Sequence, residues 1–404
     1  MKRSFAFFAL CAALTASAQT FTTWTTAEGL PTNNLRDIAI AANGDLWIAT
    51  QLGVVRFDGT TFTTHNTSTH PGLANNSIEA IAVTAAGEVW AGTDVGVSVF
   101  DGTDYTTYTT ADGLGDDQVN NIKQAPDVDI WIGTINGATR YSSGTFTAFG
   151  SPDIPFGGVE YIAFADNGDV WLGGGLGGII IYDGSSFSSI TTADGLISNK
   201  IRSIAFDGDG NKWIGTAQGI SVLDASDMHV GDHTRPFILP APDTLNPVTD
   251  IVIDTEGTVW AGIYVDYLVT EGGVAAFDGA AWSQYESTDG LAGPNVRRMV
   301  VDANDDVWVT TSTGLTRITA PNIGIAETEA PDFGLYPNPA SDQVAILAPD
   351  ASTARAFVQL TDTEGRLVGT TTLSGGRATM DVSGLNAGVY VIRVGGAVRR
   401  LIVR

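Results

Sequence analysis

The sequence predicts an all-β protein: a seven-bladed β-propeller whose N-terminal strand closes the last blade, followed by a small Ig-like β-sandwich. Three observations predict it. A tryptophan-centred stretch recurs seven times, as "GDLWIAT", "GEVWAGT", "VDIWIGT", "GDVWLGG", "GNKWIGT", "GTVWAGI" and "DDVWVTT". A second phrase, "TTAEGL" or a variant of it, recurs between units. Charge and pattern then change after residue 330: residues 19–330 carry 11 basic and 39 acidic residues, whereas residues 331–404 carry seven Arg and six acids.

In chain order, residues 1–18 read as a signal peptide. Lys2 and Arg3 precede a 12-residue apolar run too short to span a membrane, and "ASA" at 16–18 offers small residues for cleavage before Gln19. The only cysteine, Cys11, lies in this leader behind Leu10, where a lipoprotein signal would place a small residue, so the mature chain is expected to have no disulfide and no lipid. No other apolar run approaches membrane length, so no membrane insertion of the mature chain is expected. The net charge of −28 over residues 19–330 repels nucleic acid and acidic lipid.

Residues 19–319 are the expected propeller. The tryptophans Trp47, Trp90, Trp131, Trp171, Trp213, Trp260 and Trp308 are spaced by 43, 41, 40, 42, 47 and 48 residues, a period that signifies an array of equal units. Each unit reads as four short strands. In the first, "LRDIAI" is followed by an "NG" turn, "LWIAT", a glycine turn, "VVRF", a "DG" turn and "TTFTTH". Asn-Gly and Asp-Gly adopt the positive φ angles of tight hairpins with little strain. The seventh unit ends at "TGLTRIT" (313–319) without an outermost strand. "FTTWTT" at 21–26 is such a strand with no unit before it. The N-terminus is therefore expected to complete the last blade and leave no open edge. Residues 320–332 read as a linker and 333–404 as the sandwich, with short strands, glycine turns, and Pro337 and Pro339 barring a helix.

The consensus "W-I-G-T-x-x-G-l-x-x-f-D-G", with "T-x-x-D-G-L-p-x-n-x-v" between units, resembles the two-component regulator propeller family. That resemblance implies the periplasmic sensor part of hybrid histidine kinases, which recognises glycans or their fragments; no kinase follows here. The tail motifs "LYPNPASDQVAI", "DTEGRLV", "LNAGVYVIRV" and "RRLIVR" resemble a type A C-terminal sorting domain of type IX secretion. This implies type IX machinery as a partner, passage through the outer membrane, and removal of the tail at the cell surface.

Catalytic motifs are scarce. "GGGLGG" (173–178) contains G-x-G-x-x-G, but "IIIYDG" follows where a dinucleotide site needs a helix. "DGDGN" sets Asp207, Asp209 and Asn211 as a calcium loop would begin, but Gln218 stands where the liganding Glu belongs, so the stretch reads as turn chemistry and no cofactor is expected. Streptogramin lyases are also propellers, with a catalytic histidine; His65, His70, His229 and His233 lie in no matching motif.

Two candidate binding regions remain. Blade six has a long entry segment (229–247) bearing His233 and Arg235, and a long second loop (263–273) bearing Tyr264, Asp266, Tyr267 and Glu271. Tyrosines offer flat faces to sugar rings and carboxylates accept from hydroxyls. The start of each innermost strand supplies the other region: Arg36, Glu79, Asn120, Glu160, Arg202, Thr249 and Arg297, expected to ring the channel mouth on the side away from the blade-six loops. The resulting expectation is an exported, non-catalytic recognition protein that binds a glycan or another surface partner. The alternatives are a polysaccharide lyase or glycoside hydrolase, and a structural surface protein without a small ligand.

Overall fold

The structure is a computed structural model and describes residues 19–154, 158–175, 177–239, 246–265, 271–319, 334–347, 356–362, 366–394 and 397–404. The signal peptide and the linker lie outside these residues. The chain divides into two compact units, residues 1–321 and 322–404.

Among the described residues, the first unit holds seven four-stranded antiparallel sheets. In blade one the strands run Leu35–Ile40, Leu46–Thr50, Gly53–Phe57 and Phe62–His65, from the channel outward. Each innermost strand touches those of its neighbours, and Val296–Val301 of blade seven touches Leu35–Ile40 of blade one, so the ring is closed. The closing blade takes its outermost strand from the N-terminus: Thr20–Trp24 pairs with Leu315–Thr319, from Thr20 opposite Thr319 to Trp24 opposite Leu315.

The two recurring phrases have separate jobs. All seven column tryptophans are buried in the second strand of their blades, where the rings reach the next blade: Trp90 lies 5.1 Å from Tyr141, Trp131 5.7 Å from Tyr182, and Trp213 5.8 Å from Phe277. A Trp buries roughly 150–250 Å², worth about 4–6 kcal/mol before entropy is counted. The "TTAEGL" phrase folds as a capped turn between blades. Thr25, Thr109 and Thr191 each cap a one-turn 3₁₀ helix reciprocally with Glu28, Asp112 and Asp194. The next glycine takes φ of +108°, +109° or +113°, a region L side chains rarely adopt. The leucine after it, Leu30, Leu114 or Leu196, is buried between blades, as is Leu291 after Gly290 in the variant phrase of blade six.

The outermost strand of blade five is His229–His233, in the stretch where the sequence loses the aromatic-Thr-Thr pattern. The entry segment of blade six is correspondingly shorter than expected. Its Phe237 and Leu239 are buried with Trp213 and Val248.

The second unit is a β-sandwich. Its sheets are Gly334–Tyr336, Gln343–Leu347 and Arg377–Asp381 on one side, and Ala356–Thr361, Leu367–Leu373, Gly388–Val394 and Ala397–Val403 on the other. Val344, Ile346, Leu360, Met380 and Ile392 fill the space between them.

Candidate functional site at the channel mouth

Bulges build the mouth. In five blades the register between the first two strands shifts at one residue, which leaves Arg36, Asn120, Arg202, Thr249 and Arg297 without a partner opposite. A bulge takes a residue out of the ladder and re-aims its side chain. Glu79 and Glu160 hold the same address in blades two and four, just ahead of their strands, with N–H groups donating to the Gly92 and Gly173 carbonyls at 2.9 and 2.8 Å. All seven residues line one cavity of about 800 Å³, together with Asn34, Gln51, Ile135, Lys200, Tyr264 and Arg298.

Tyr264 corrects the expected layout. It ends the second strand of blade six and faces the same cavity, with the Arg297 guanidinium 4.9 Å from its ring centre. Tyr264 and the column thus meet at one site rather than on opposite sides of the mouth. Asp266 and Tyr267 lie outside the described residues. Glu271 precedes the Gly272–Phe277 strand and is half-buried. Arg235 is exposed at the start of the entry segment. His233 is placed differently from expectation. Its ring stacks on Trp213 at 5.3 Å and its Nδ1 accepts from Trp282 Nε1 at 3.1 Å, so it packs between blades five and six. Burial pushes its pKa down.

Charges around the mouth are unevenly paired. Arg36 forms an ion pair with Glu79 and donates to Ser77 Oγ at 2.9 Å. Asn120 Nδ2 donates to the Val159 carbonyl at 3.3 Å. Among the described residues, Lys200, Arg202 and Arg297 form no ion pair, and Arg297 Nε and Asn34 Oδ1 are buried without a hydrogen-bond partner.

Arg298 forms the floor. Its Nη1 donates to the Thr249 carbonyl at 3.0 Å, and its guanidinium lies 5.5 Å from the Tyr161 ring centre across the channel. Burial alone would push its pKa down, but Asp250 and Asp37 push it further up, so the charge persists. Burial pushes the Asp250 carboxyl up, against the pull of Arg298. Burial also raises the Tyr161 phenol, and Asp250 adds to the rise. Asp37 and Asp250 clamp neighbouring blades through Oδ2, which accepts from Ile81 N at 2.9 Å and Met299 N at 2.7 Å. Below this floor Lys123, Tyr161, Asp37, Asp250 and Arg298 line a second cavity of about 370 Å³.

The sequence reading missed Arg298, Tyr161, Asp250 and Asp37, each one residue after a column member, as well as Lys200. A charged or tyrosyl residue in the middle of an otherwise apolar inner strand was the available signal. At "DGDGN", Asp207 Oδ1 accepts from the N–H groups of Asp209 and Asn211 at 3.0 and 2.9 Å, and Asp207 Oδ2 accepts from Trp213 Nε1 at 3.0 Å. Those oxygens are engaged in the turn. In "GGGLGG", Gly178 leads into the strand Ile179–Tyr182 rather than a helix.

Comparison with known proteins agrees with this architecture. Residues 334–404 match the family model described as a secretion system C-terminal sorting domain. The chain is an exported β-propeller carrying a type IX sorting domain, which directs it to the cell surface or the medium. No curated protein matches the sequence. Among solved structures, it is similar to PorZ, an essential bacterial surface component of the type-IX secretion system of Porphyromonas gingivalis, with TM-score 0.60, 20% identity, and coverage of 93% of this chain and 60% of that one. It is also similar to the extracellular domain of the hybrid two component system BT3049 from B. thetaiotaomicron (TM-score 0.63, 18% identity, 96% and 57% covered). A third similar structure is virginiamycin B lyase from Staphylococcus aureus (TM-score 0.57, 13% identity, 75% and 99% covered). The chain spans about 60% of the length of the first two, and at these identities the likeness is one of fold. Among the described residues no helix is long and apolar enough to cross a membrane.

Proposed function

We propose that this protein is a surface recognition propeller whose ligand, a glycan or another surface partner, sits in the mouth cavity. One observation carries the reading: a cavity of about 800 Å³ is lined by side chains from all seven blades at one structural address, and those side chains differ from blade to blade. Ring closure requires the address but not the variety. The volume falls within the range of small-ligand sites, about 300–1,000 Å³. Asn34, Gln51, Asn120 and Thr249 supply neutral hydrogen-bonding groups, and Tyr264 an aromatic wall.

The test is a glycan array probed with the full-length protein and read for both binding and cleavage, beside an Arg202→Ala, Arg297→Ala double variant. Binding without cleavage, lost in the double variant, is the expected result. Cleavage of a bound glycan would make the protein an enzyme. Binding that the double variant retains in full would place the site elsewhere.

A further inference from the structure

We infer that the mouth selects an acidic oligosaccharide, one carrying uronate or sulfate groups among its hydroxyls. This inference rests on the recognition reading above and narrows it. The observation behind it is where the positive charge lies. Residues 19–330 hold only 11 basic residues against 39 acids, yet five of the 11, Arg36, Lys200, Arg202, Arg297 and Arg298, line this one cavity. Of the other six, four face a carboxylate: Arg56 pairs with Asp45, Arg140 with Asp129, Lys212 with Asp227, and Arg317 lies 3.7 Å from Asp306; Lys123 lines the second cavity and Arg235 is exposed.

Within the mouth the pairing is incomplete in one sector. Glu79 neutralises Arg36 on blade one, and Asp250 and Asp37 offset Arg298 at the floor. Lys200 and Arg202 of blade five and Arg297 of blade seven form no ion pair among the described residues and lie on either side of Tyr264 of blade six. Three uncompensated cations lie in an arc around an aromatic ring, and the buried Arg297 Nε still has a proton to donate. A guanidinium matches the two oxygens of a carboxylate or sulfate.

The carboxylates of the Asp-Gly turns oppose this attraction only at long range. The Asp-Gly turns lie at the far ends of five-residue strands, about 16 Å away at ~3.3 Å per residue. That is roughly two Debye lengths at physiological salt, so those carboxylates are largely screened from the cavity. The lining also explains why the ligand is a saccharide rather than a bare anion. Glu160 accepts but cannot donate, so it suits hydroxyls, and Asn34 and Gln51 each offer both functions.

The experiment titrates the full-length protein calorimetrically with a uronate trisaccharide, a sulfated disaccharide, their methyl-esterified and desulfated counterparts, and an acidic hexapeptide. At least one acidic sugar is expected to bind about tenfold or more tighter than its neutral counterpart. The two acidic sugars tell carboxylate from sulfate. Arg202→Ala and Arg297→Ala should each weaken that binding about tenfold with the melting temperature unchanged, and Arg202→Lys should restore part of it. If the neutral counterparts bind equally well, the anionic preference is wrong while the recognition reading stands. Tighter binding of the acidic peptide, with the same arginine dependence, overturns the saccharide class. Acidic sugar binding that survives both arginine substitutions overturns the site. Absence of binding by every sugar, here and on the glycan array, overturns this inference and, within the recognition reading, the glycan as ligand.

Discussion

The innermost strand of each blade and the three strands outside it are built by different rules. Outside, the blades repeat one another and their polar groups are mostly matched. Trp213, Trp260 and Trp308 donate through Nε1 to Asp207, Asp254 and Asp302 at 3.0, 2.8 and 2.9 Å. The Thr60 hydroxyl and two backbone N–H groups hold the Asp58 carboxyl below the usual range, and backbone N–H groups do the same for Asp101, Asp183 and Asp278. Trp171 Nε1 and Arg317 Nε are exceptions. Inside, the shared address carries Arg in three blades, Glu in two, Asn in one and Thr in one, and among the described residues Asn121 Oδ1, Ser203 Oγ, Asp250 Oδ1 and Arg297 Nε are buried without partners. Where the units agree, they serve closure of the ring. Where they diverge at a fixed address, closure does not account for them, and an unpartnered buried polar atom there is a cost that binding can offset.

The outer layer is most vulnerable at the seam. Deleting residues 20–24 strips Leu315–Thr319 of its partner and removes Trp24 from its stack on Trp308 at 5.2 Å and its edge contact with Phe57 at 5.4 Å. A bare edge pairs with other chains. Aggregation or loss of a cooperative melt is expected, checked by size-exclusion chromatography and calorimetry. A deletion variant that stays monomeric and melts with the parent would show that the outer strands are not what holds the ring.

A smaller effect should follow pH through the same outer layer. His65 ends the outermost strand of blade one, 4.1 Å from the His70 ring and with Nδ1 3.2 Å from the Tyr105 hydroxyl. Burial, and secondly the charge of His70, push its pKa down from 6.5 to about 4. Between those values the unfolded chain binds a proton that the folded one refuses. Stability therefore falls as pH drops from 6.5 towards 4 and changes no further from this group below that. At about 1.4 kcal/mol per unit, discounted for the solvent that reaches the ring, the loss is on the order of 1–2 kcal/mol. His65→Phe should flatten the slope of melting temperature against pH in this window. It should not abolish it, because His233 shifts in the same direction. An unchanged slope in the variant would mean that another group sets it.

The sequence read the two kinds of strand unequally. The outer layers were legible because closure writes the same residues each time: the tryptophan column, the Asp-Gly turns, the "DGL" phrase and the orphan strand at residue 21. The outer strand of blade five was lost because "HVGDH" keeps neither the aromatic nor the threonines. The inner address was legible as a column but not as a site. Spacing alone does not reveal a bulge, and only the bulge explains why Arg297 and Tyr264 meet. Lys200 lies outside its strand, so it joined no column, and without it the mouth read as mixed charge rather than as an arc of cations.

The smallest expected effect belongs to the inner address. Lys200 and Arg202 line the same cavity from blade five, and among the described residues neither forms an ion pair. In the unliganded protein their mutual repulsion is unrelieved, and neither side chain forms the kind of contact whose loss destabilises a fold. Replacing both with Ala should leave stability within about 0.5 kcal/mol of the parent, on the side of equal or higher melting temperature. Arg297→Ala gives up its contact with Tyr264, worth about 0.5–1 kcal/mol at an exposed site, while relieving the same repulsion, and should come out near neutral. Denaturant melts of the two variants measure both. A loss well beyond that range in the Lys200→Ala, Arg202→Ala protein would show the arc to be a clamp of the fold, and the inner strand would then follow the same rule as the strands outside it.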